Sequence, residues 1–279
     1  MVRSAAAVKP VDELPPTSLL AIRGVLADID DTLSTGGRIT AAAYTAMERL
    51  RGAGLLMIPI TGRPAGWCDH IARMWPVDAV VGENGAFYMR YDHARRKLTT
   101  RYIADPLELV LRRDRLRQVG EHILREVPGS AWASDQGYRV ADIAIDYCED
   151  VPRLPAAAVE RITALMRDAG LTAKVSSIHV NGWFGAYDKL GMTRTLLAEI
   201  FGIDLDAARE QFVFIGDSPN DAPMFGFFPL SVGVANVRDY AGCLDHEPKF
   251  VTGGTSGAGF VELAQRLIAV SHRQTAISG

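Results

Sequence analysis

The chain has 279 residues, of which 48% are hydrophobic and 23% are charged, and its formal net charge is −3 at pH 7. This composition is typical of a globular protein, and so small a net charge gives no electrostatic reason to expect binding to nucleic acid or to a membrane surface. Cys68, Cys148 and Cys243 are far apart, and no apolar run approaches the ~20 residues of a membrane helix. We therefore expect reduced thiols in a cytoplasmic protein without a signal peptide.

The first part of the chain alternates between apolar strands and amphipathic helices. Residues 1–18 contain three prolines and no hydrophobic periodicity, which predicts a flexible extension. The elements predicted next are strands over residues 19–28, 55–60 and 79–81 and helices over residues 40–50 and 67–74. Continuously apolar strands that alternate with helices indicate a parallel sheet covered on both faces.

The pattern changes over residues 87–185 and then returns. A hairpin over residues 88–102, helices over 105–127 and 155–169, and strands over 138–147 and 174–180 predict an inserted α+β domain. Strands over 211–215, 230–235 and 250–252 and helices over 193–201 and 259–270 resume the first pattern. The predicted fold is thus α/β, with a doubly wound Rossmann-like parallel sheet core formed by residues 19–86 and 186–279, and an inserted α+β cap domain over 87–185.

The first strand ends in two carboxylates, Asp28 and Asp30. In an extended backbone both lie on one face, while Ile29 points toward a core. Two acids on one face repel each other, so their placement calls for a cation, a shared proton or a chemical task. The alternative is an ordinary exposed turn, since Asp-Asp-Thr is common in turns and helix caps.

Polar residues also follow other strands of the core pattern: Thr61 after the second strand, and Asp217 and Asp221 after the strand over 211–215. In open α/β sheets, ligands bind at the edge where the carboxyl ends of the strands meet. Clustered hard oxygen atoms suit Mg²⁺, and an aspartate can form an aspartyl-phosphate. This arrangement predicts phosphoryl chemistry. The alternative, that Asp221 or Asn220 caps the following helix, leaves Asp217 unexplained.

Four ordered motifs resemble those of the haloacid dehalogenase-like (HAD) hydrolase superfamily. They are Asp28-x-Asp30-x-Thr32, Thr61-Gly62-Arg63, Lys189 and Gly216-Asp217-Ser218-x-Asn220-Asp221. The insertion between the second and third motifs, together with Gly82-Glu83-Asn84-Gly85-Ala86, resembles the Cof-type, class IIB branch. That branch includes sucrose-phosphate, mannosyl-phosphoglycerate and trehalose-phosphate phosphatases, and phosphomannomutases. The resemblance implies a Mg²⁺-dependent hydrolase that acts on a small phosphate monoester such as a sugar phosphate.

The resemblance also implies roles for individual residues. Asp28 would be the nucleophile and Asp30 the general acid and base. Thr61 would hold a phosphate oxygen, and Lys189 would offset negative charge. The implied Mg²⁺ ligands are the Asp28 carboxylate, the Asp30 backbone carbonyl and Asp217, and Asp221 either binds the ion or orients one of these ligands. The residues expected to contact substrate are Thr61, Gly62, Arg63, Asn84, Arg139, His179, Asn181 and Asn220.

Several of these residues have a structural alternative. Arg139 is expected either to hold a second anionic group or to form a surface salt bridge with Asp142. His179 and Asn181 share one strand face, which either contacts substrate or is an ordinary polar outer face. Lys189 could be a lone surface lysine. Asp31 stands where the branch usually has glycine, and we expect its side chain to point outward.

Two other functions are compatible with the same residues. A phosphomutase would use the same aspartate and return the phosphoryl group to its substrate. A non-catalytic phosphoester-binding module would need neither Asp28 nor Asp30 as a reactive group. A carbon-attacking dehalogenase is disfavoured, since its chemistry calls for neither Asp30 nor Mg²⁺. The partner expected is a small-molecule phosphate ester, and a monomer and a homodimer are both compatible with the sequence.

Overall fold

The structure is a computed structural model that describes residues 8–277. It contains two compact units: unit 1 is formed by the described parts of residues 1–59, 76–78 and 197–279, and unit 2 by residues 60–75 and 79–196. The boundaries of these units differ from the domain boundaries predicted at residues 87 and 185. The predicted boundaries stay a prediction. Within the described residues, no helix is both long enough and apolar enough to cross a membrane.

The centre of unit 1 is a parallel sheet. Within the described residues it has six strands, in the spatial order β1 (Lys9–Pro10), β15 (Phe250–Val251), β14 (Leu230–Gly233), β13 (Phe212–Gly216), β2 (Gly24–Ala27) and β5 (Leu56–Pro59). Val25 and Leu26 point to opposite faces of β2, and both are fully buried. The sheet is therefore covered on both faces, and the predicted α/β class with a Rossmann-like parallel core is confirmed.

The N-terminal segment corrects two predictions. Residues 1–7 of the predicted flexible extension lie outside the described residues, but Lys9 and Pro10 pair with β15, and Val11 and Leu14 are buried. The predicted strand over residues 19–28 is shorter, because Pro16 begins a helix, α1 (Pro16–Leu20), and β2 starts at Gly24. Proline is favoured in the first turn of a helix, where its missing N–H group costs nothing.

The other elements of unit 1 surround the sheet. They are the ribbon of β3 (Ser34–Thr35) and β4 (Arg38–Ile39), and the helices α2 (Ala41–Gly52), α7 (Leu205–Ala208), α8 (Ala222–Phe227) and α9 (Ser256–Ile277). The Thr40 hydroxyl accepts a hydrogen bond from the Ala43 N–H and caps α2, which corresponds to the helix predicted over residues 40–50. Helix α6 (Lys189–Phe201) begins in unit 2 and ends in unit 1, and it starts four residues earlier than the predicted 193–201.

Unit 2 contains a three-stranded antiparallel sheet next to α3 (Ala65–Met74). Its strands are β6 (Val80–Gly82), β7 (Phe87–Asp92) and β8 (Lys97–Tyr102). The predicted hairpin over residues 88–102 is confirmed. The predicted strand over 79–81 corresponds to β6, which pairs antiparallel with β7 and whose Val81 also forms a parallel bridge with Ile60.

A second antiparallel sheet in unit 2 has the order β11 (Thr172–Val175), β12 (His179–Trp183), β10 (Asp142–Asp146), β9 (Ala131–Trp132) within the described residues. One face packs on α4 (Pro106–Glu126) and α5 (Ala156–Asp168), through side chains such as Ile123, Ile143 and Ile162. These elements form the predicted α+β insertion. The predicted strand over 138–147 shortens to β10. The strand predicted over 174–180 is instead a hairpin of β11 and β12.

Candidate active site

Asp28 lies at the carboxyl end of β2, where the apolar strand has just ended. Its backbone N–H donates to the carbonyl oxygen of Ile215, 2.9 Å away on the neighbouring β13. The residue is only 4% exposed. A carboxyl group so placed in the core has lost most of its contact with water, which is unfavourable for a charge without compensation. The ends of β2 and β13 therefore fix a buried acid at the edge of the parallel sheet where ligands bind in such folds.

A tight turn after β13 supplies two further acids. One oxygen of Asp221 accepts hydrogen bonds from the N–H groups of Asp217 (3.0 Å) and Ser218 (3.3 Å). Gly216 leaves the space for this arrangement, because a Cβ atom there would lie 2.4 Å from the same Asp221 oxygen. Asp221 thus closes a capping box with Ser218 at the 219–221 turn, but its side chain does not cap the following helix α8, which is the alternative that the sequence offers. The Asn220 side-chain oxygen accepts from the Ser218 hydroxyl at 2.8 Å.

Asp28, Asp217 and Asp221 form one buried carboxylate group. Each offers an oxygen atom, and these atoms all lie within 4.8 Å of one another. Three acids at this spacing repel one another strongly at neutral pH unless a cation lies among them. Mg²⁺ binds through carboxylate oxygens and keeps several waters or phosphate oxygens, so this donor set fits that ion. The three residues predicted from separate parts of the sequence are brought together.

Two neutral side chains orient Asp217. The Thr32 hydroxyl lies 3.4 Å from one Asp217 oxygen, and the Asn236 amide nitrogen lies 3.4 Å from the other. The Asn236 side-chain oxygen in turn accepts from the Ser256 N–H at 2.9 Å, which directs the amide nitrogen toward Asp217. Such contacts hold a ligand in place around a metal site. Sequence reasoning missed Asn236, although its position just after β14, at the same sheet edge, is a signal that could have identified it.

Asp30 and Asp31 stand apart from this carboxylate group. Asp30 is half-buried, and its carboxylate is not among the clustered acids of the described residues. That the Asp30 backbone carbonyl binds Mg²⁺, as the resemblance implies, stays a prediction. Asp31 has φ +55°, a left-handed conformation that glycine adopts freely and aspartate tolerates better than most residues. This explains why glycine suits the position. Asp31 is itself half-buried, and its carbonyl accepts from Asn236 at 3.1 Å.

Thr61 lies in unit 2 and is fully buried. Its hydroxyl oxygen accepts a hydrogen bond from the Arg63 N–H at 3.0 Å. A hydroxyl that accepts in this way keeps its own proton to donate, as a contact to a phosphate oxygen would need. Its backbone N–H donates to Val81 (2.9 Å), and its carbonyl accepts from Asn84 (3.0 Å). These bonds place Asn84 beside the Thr61-Gly62-Arg63 loop.

Lys189 is the first residue of α6 and is 2% exposed. The alternative of a lone surface lysine is therefore wrong. Its carbonyl accepts a hydrogen bond from the Thr193 hydroxyl at 2.7 Å. The preceding residue, Asp188, lies against Gly85, since a Cβ atom at Gly85 would lie 2.0 Å from the Asp188 carbonyl oxygen. The turn that carries Asn84 thus also touches the start of the helix that carries Lys189.

The guanidinium group of Arg63 is bound by two acids. It lies 3.2 Å from Asp135 and 2.6 Å from Glu149, and it stacks on the Trp67 ring at 4.4 Å. Burial would raise the pKa of Glu149, but hydrogen bonds from His179 and Arg63 and the charge of Arg63 lower it to about 2. Glu149 is thus ionised at neutral pH. Arg63, predicted to bind substrate, is tied to carboxylates within unit 2.

Arg139 is also held by acids. Its guanidinium group contacts Asp135 and Asp142, both at 3.0 Å, and donates to the Gly62 carbonyl at 2.9 Å. Burial opposes its charge, yet Asp142 and Asp135 raise the pKa of Arg139 above its usual value. The predicted alternative of an ion pair with Asp142 is present, but it is a buried pair and not a surface one. Breaking such a pair by removing one partner is costly.

His179 and Asn181 share one face of β12, as predicted, and both are buried. The His179 ring lies 2.9 Å from the Glu149 carboxylate, and the Asn181 amide donates to Asp142 at 3.0 Å. The alternative of an ordinary solvated outer face is therefore wrong. Each side chain instead extends the ion-pair network of Arg63 and Arg139.

Comparisons with known proteins add information about the fold. No protein-family model and no curated protein matches the sequence. Among solved structures, the chain is similar to the C-terminal domain of the trehalose-6-phosphate phosphatase of C. albicans, with a TM-score of 0.69 and 13% identity over 95% of this chain and 99% of that one. A HAD/COF-like hydrolase from Plasmodium vivax gives a TM-score of 0.65 and 17% identity over 92% and 100% of the two chains.

A third solved structure is a haloacid dehalogenase-like hydrolase from Bacteroides thetaiotaomicron. It gives a TM-score of 0.59 and 16% identity over 88% of this chain and 99% of that one. The likeness extends over nearly the full length of each of these proteins, so it includes the inserted segment as well as the parallel sheet. The chain therefore has the fold of the haloacid dehalogenase-like hydrolases.

Proposed function

We propose that this protein is a Mg²⁺-dependent phosphatase of the HAD superfamily, in its Cof-type class IIB branch, and that it hydrolyses a small phosphate monoester. The observation that carries the proposal is the buried group of Asp28, Asp217 and Asp221 at the carboxyl edge of the parallel sheet. The motif order and the shared fold support it. The trehalose-6-phosphate phosphatase among the similar structures favours a sugar phosphate as substrate. The three free thiols support the proposed cytoplasmic location.

The proposed reaction has two steps on Asp28. In the first, an Asp28 oxygen forms a bond to phosphorus, the bond from phosphorus to the leaving oxygen breaks, and Asp30 gives that oxygen a proton. In the second, Asp30 takes a proton from water, the water oxygen bonds to phosphorus, and the bond from Asp28 to phosphorus breaks. The products are the alcohol and inorganic phosphate. Both carboxyl groups return to their starting states.

The other residues of the proposed site bind the metal ion, the phosphoryl group or the rest of the substrate. Asp28, Asp217 and Asp221, with the Asp30 carbonyl, would hold Mg²⁺, which supplies positive charge beside the phosphoryl oxygens. The proton that the Thr61 hydroxyl keeps would be donated to a phosphate oxygen. Lys189 would offset the negative charge of the phosphoryl group. Asn84, Asn181 and Asn220 are proposed to contact the substrate, as are Gly62, Arg63, Arg139 and His179.

The test is a phosphate-release assay over sugar phosphates, glycerate-linked phosphates and nucleotides, with and without Mg²⁺. We expect Mg²⁺-dependent release from at least one ester, and a loss of at least roughly 10³-fold in rate for Asp28→Asn. The matched control is Asp78→Asn, the same change at an acid whose carboxylate accepts a hydrogen bond from the Met57 N–H near the amino end of β5. Stoichiometric phosphate release would exclude a pure phosphomutase. Binding that is indifferent to Asp28→Asn, without turnover of any ester, would favour a non-catalytic module.

A further inference from the structure

Glu83 is a fully buried acid that the proposed reaction does not use. One carboxylate oxygen accepts from the N–H groups of Ala65 (3.1 Å) and Val140 (2.9 Å). The other accepts from Ala141 (2.6 Å) and Asp142 (3.2 Å). These donors belong to two segments, the start of α3 and the segment that leads into β10. One side chain thus ties both segments to the end of β6.

The backbone at Glu83 is strained. Glu83 and Asn84 have φ values of +42° and +54°, and Gly85 has +106°. Left-handed conformations are unfavourable for residues with a Cβ atom and persist only where the surroundings impose them. The bonds to the Glu83 carboxylate are such a constraint, because the side chain cannot keep all of its donors if the turn relaxes. Strain of this kind is concentrated at functional sites in proteins.

The strained turn contacts the backbone beside Thr61 and Lys189, the two residues of unit 2 that the proposed reaction uses. The Glu83 N–H donates to the Arg63 carbonyl (3.1 Å), and the Asn84 N–H donates to the Thr61 carbonyl (3.0 Å). The Asn84 side chain packs on Gly62, where a Cβ atom would lie 3.2 Å from its amide nitrogen. On its other side, Gly85 contacts the Asp188 carbonyl, directly before Lys189.

We propose that Glu83 is a positioning residue for the proposed phosphatase: by holding the 83–85 turn in its strained form, it fixes the Thr61 loop and the start of the Lys189 helix relative to each other. This inference rests on the proposed function, because Thr61 and Lys189 have their roles there. Glu83 touches neither the substrate nor the reacting atoms in this proposal. It acts through the backbone of residues 61–63 and 188–189.

Glu83→Gln is the perturbation that separates positioning from simple packing. The variant keeps the size of the side chain, but an amide has only one acceptor oxygen, so its NH₂ group must face N–H donors that the carboxylate satisfied. We expect kcat to fall by about 10- to 100-fold, because small misplacements of catalytic groups have effects of this size. We also expect the inhibition constant for inorganic phosphate to rise by about tenfold, since the same groups hold phosphate.

The phosphate inhibition constant distinguishes positioning from a loss of folded protein. A smaller folded fraction lowers kcat but leaves that constant unchanged. Asp78→Asn is the control, because its carboxylate also accepts a backbone N–H but lies in unit 1. A Glu83→Gln variant with a lower unfolding midpoint, and with both kcat and the phosphate constant within about twofold of wild type, would overturn the proposal. If Glu83→Gln does not fold, Glu83→Asp, whose shorter side chain keeps a carboxyl group, is measured in the same way.

Hydrogen exchange tests the inference separately from the proposed function. The N–H groups of residues 83 and 84 are bonded to the Arg63 and Thr61 carbonyls, and we expect both to exchange faster in the variant. If the wild type releases phosphate from no ester, the proposed function fails, and this measurement still decides whether Glu83 holds the turn. Unchanged exchange at residues 83 and 84 would overturn the inference even in an active phosphatase.

Discussion

Replacing Glu149 by glutamine tests the buried ion-pair network of unit 2, because the pKa of this acid reports how strongly the network holds it. Burial would raise that pKa, but hydrogen bonds from His179 and Arg63 and the charge of Arg63 lower it from 4.5 to about 2. At about 1.4 kcal/mol per unit, such a shift corresponds to about 3 kcal/mol. The side chain is 25% exposed, and screening by solvent reduces the expected contribution to about 2 kcal/mol.

The sign of the pH dependence follows from the lowered pKa. The folded-state pKa lies below the unfolded-state value, so the contribution of Glu149 is fully present above pH 4.5 and is lost as the pH falls toward 2. We therefore expect the free energy of unfolding of Glu149→Gln to lie about 2 kcal/mol below that of wild type at neutral pH, and the two to converge in acid. In the variant Asp135 still pairs with Arg63, which is not left as an uncompensated buried charge.

The measurement is urea unfolding of both proteins from about pH 7 to about pH 3, followed by circular dichroism. Glu160→Gln is the control, because Glu160 is exposed and has no ion-pair partner within the described residues. We expect the control to match wild type within about 0.5 kcal/mol at every pH. A difference between Glu149→Gln and wild type that stays constant over this pH range would refute the assignment of the stabilisation to the ionised carboxylate.

Two glycine substitutions test close contacts. Gly216→Ala places a Cβ atom 2.4 Å from an Asp221 oxygen, and we expect it to weaken Mg²⁺ binding by about tenfold in titration calorimetry, where an unchanged affinity would contradict the metal site. Gly120→Ala places a Cβ atom 1.8 Å from the Trp132 ring, and we expect the free energy of unfolding to fall by about 1–3 kcal/mol despite the better helix propensity of alanine. Gly52→Ala is the control in the same urea-unfolding measurement, because a Cβ atom at Gly52 has nothing within 4 Å. We expect it to leave the free energy of unfolding unchanged or to raise it. Equal effects of Gly120→Ala and Gly52→Ala would contradict the packing argument.

The parallel sheet could be predicted because burial on both faces leaves a signal in the sequence. A strand covered on both sides must be apolar at every position, and β2 and β13 are such runs. The edge strand β1 could not be predicted in the same way. It has two residues, one of them Pro10, and proline is tolerated there because an edge strand need not donate from every N–H group. Its place in the sheet depends on pairing with β15, which is distant in sequence.

The hairpin of β11 and β12 shows a different limit. Its turn, residues 176–178, contains neither glycine, proline nor asparagine, whereas Asn181-Gly182, a pair that usually indicates a reversal, lies inside β12. The turn is instead held by Ser176, whose hydroxyl accepts from the His179 N–H at 3.0 Å. Serine is common in many other settings, and its presence alone does not predict this bond.

The buried acids at the sheet edge could be predicted because each follows a strand of the parallel core, and parallel strands bring their carboxyl ends together. No such rule applied to Arg63 and Arg139. Their partner Asp135 lies 72 positions from Arg63 in the chain, in an irregular segment without periodicity. Only the fold determines whether an arginine forms an ion pair with a carboxylate of the chain or remains available to bind an anion.

The balance of charge in unit 2 decides between those two outcomes for Arg63 and Arg139. Asp135 contacts both guanidinium groups, Glu149 adds a second acid to Arg63, and Asp142 adds one to Arg139. An incoming anion would have to displace carboxylates that are already in place, and breaking buried pairs is costly. In the proposed phosphatase, charge compensation for the phosphoryl group therefore falls on Mg²⁺ and Lys189, and the substrate contacts proposed for Arg63 and Arg139 are ones that leave the acids bound to them in place.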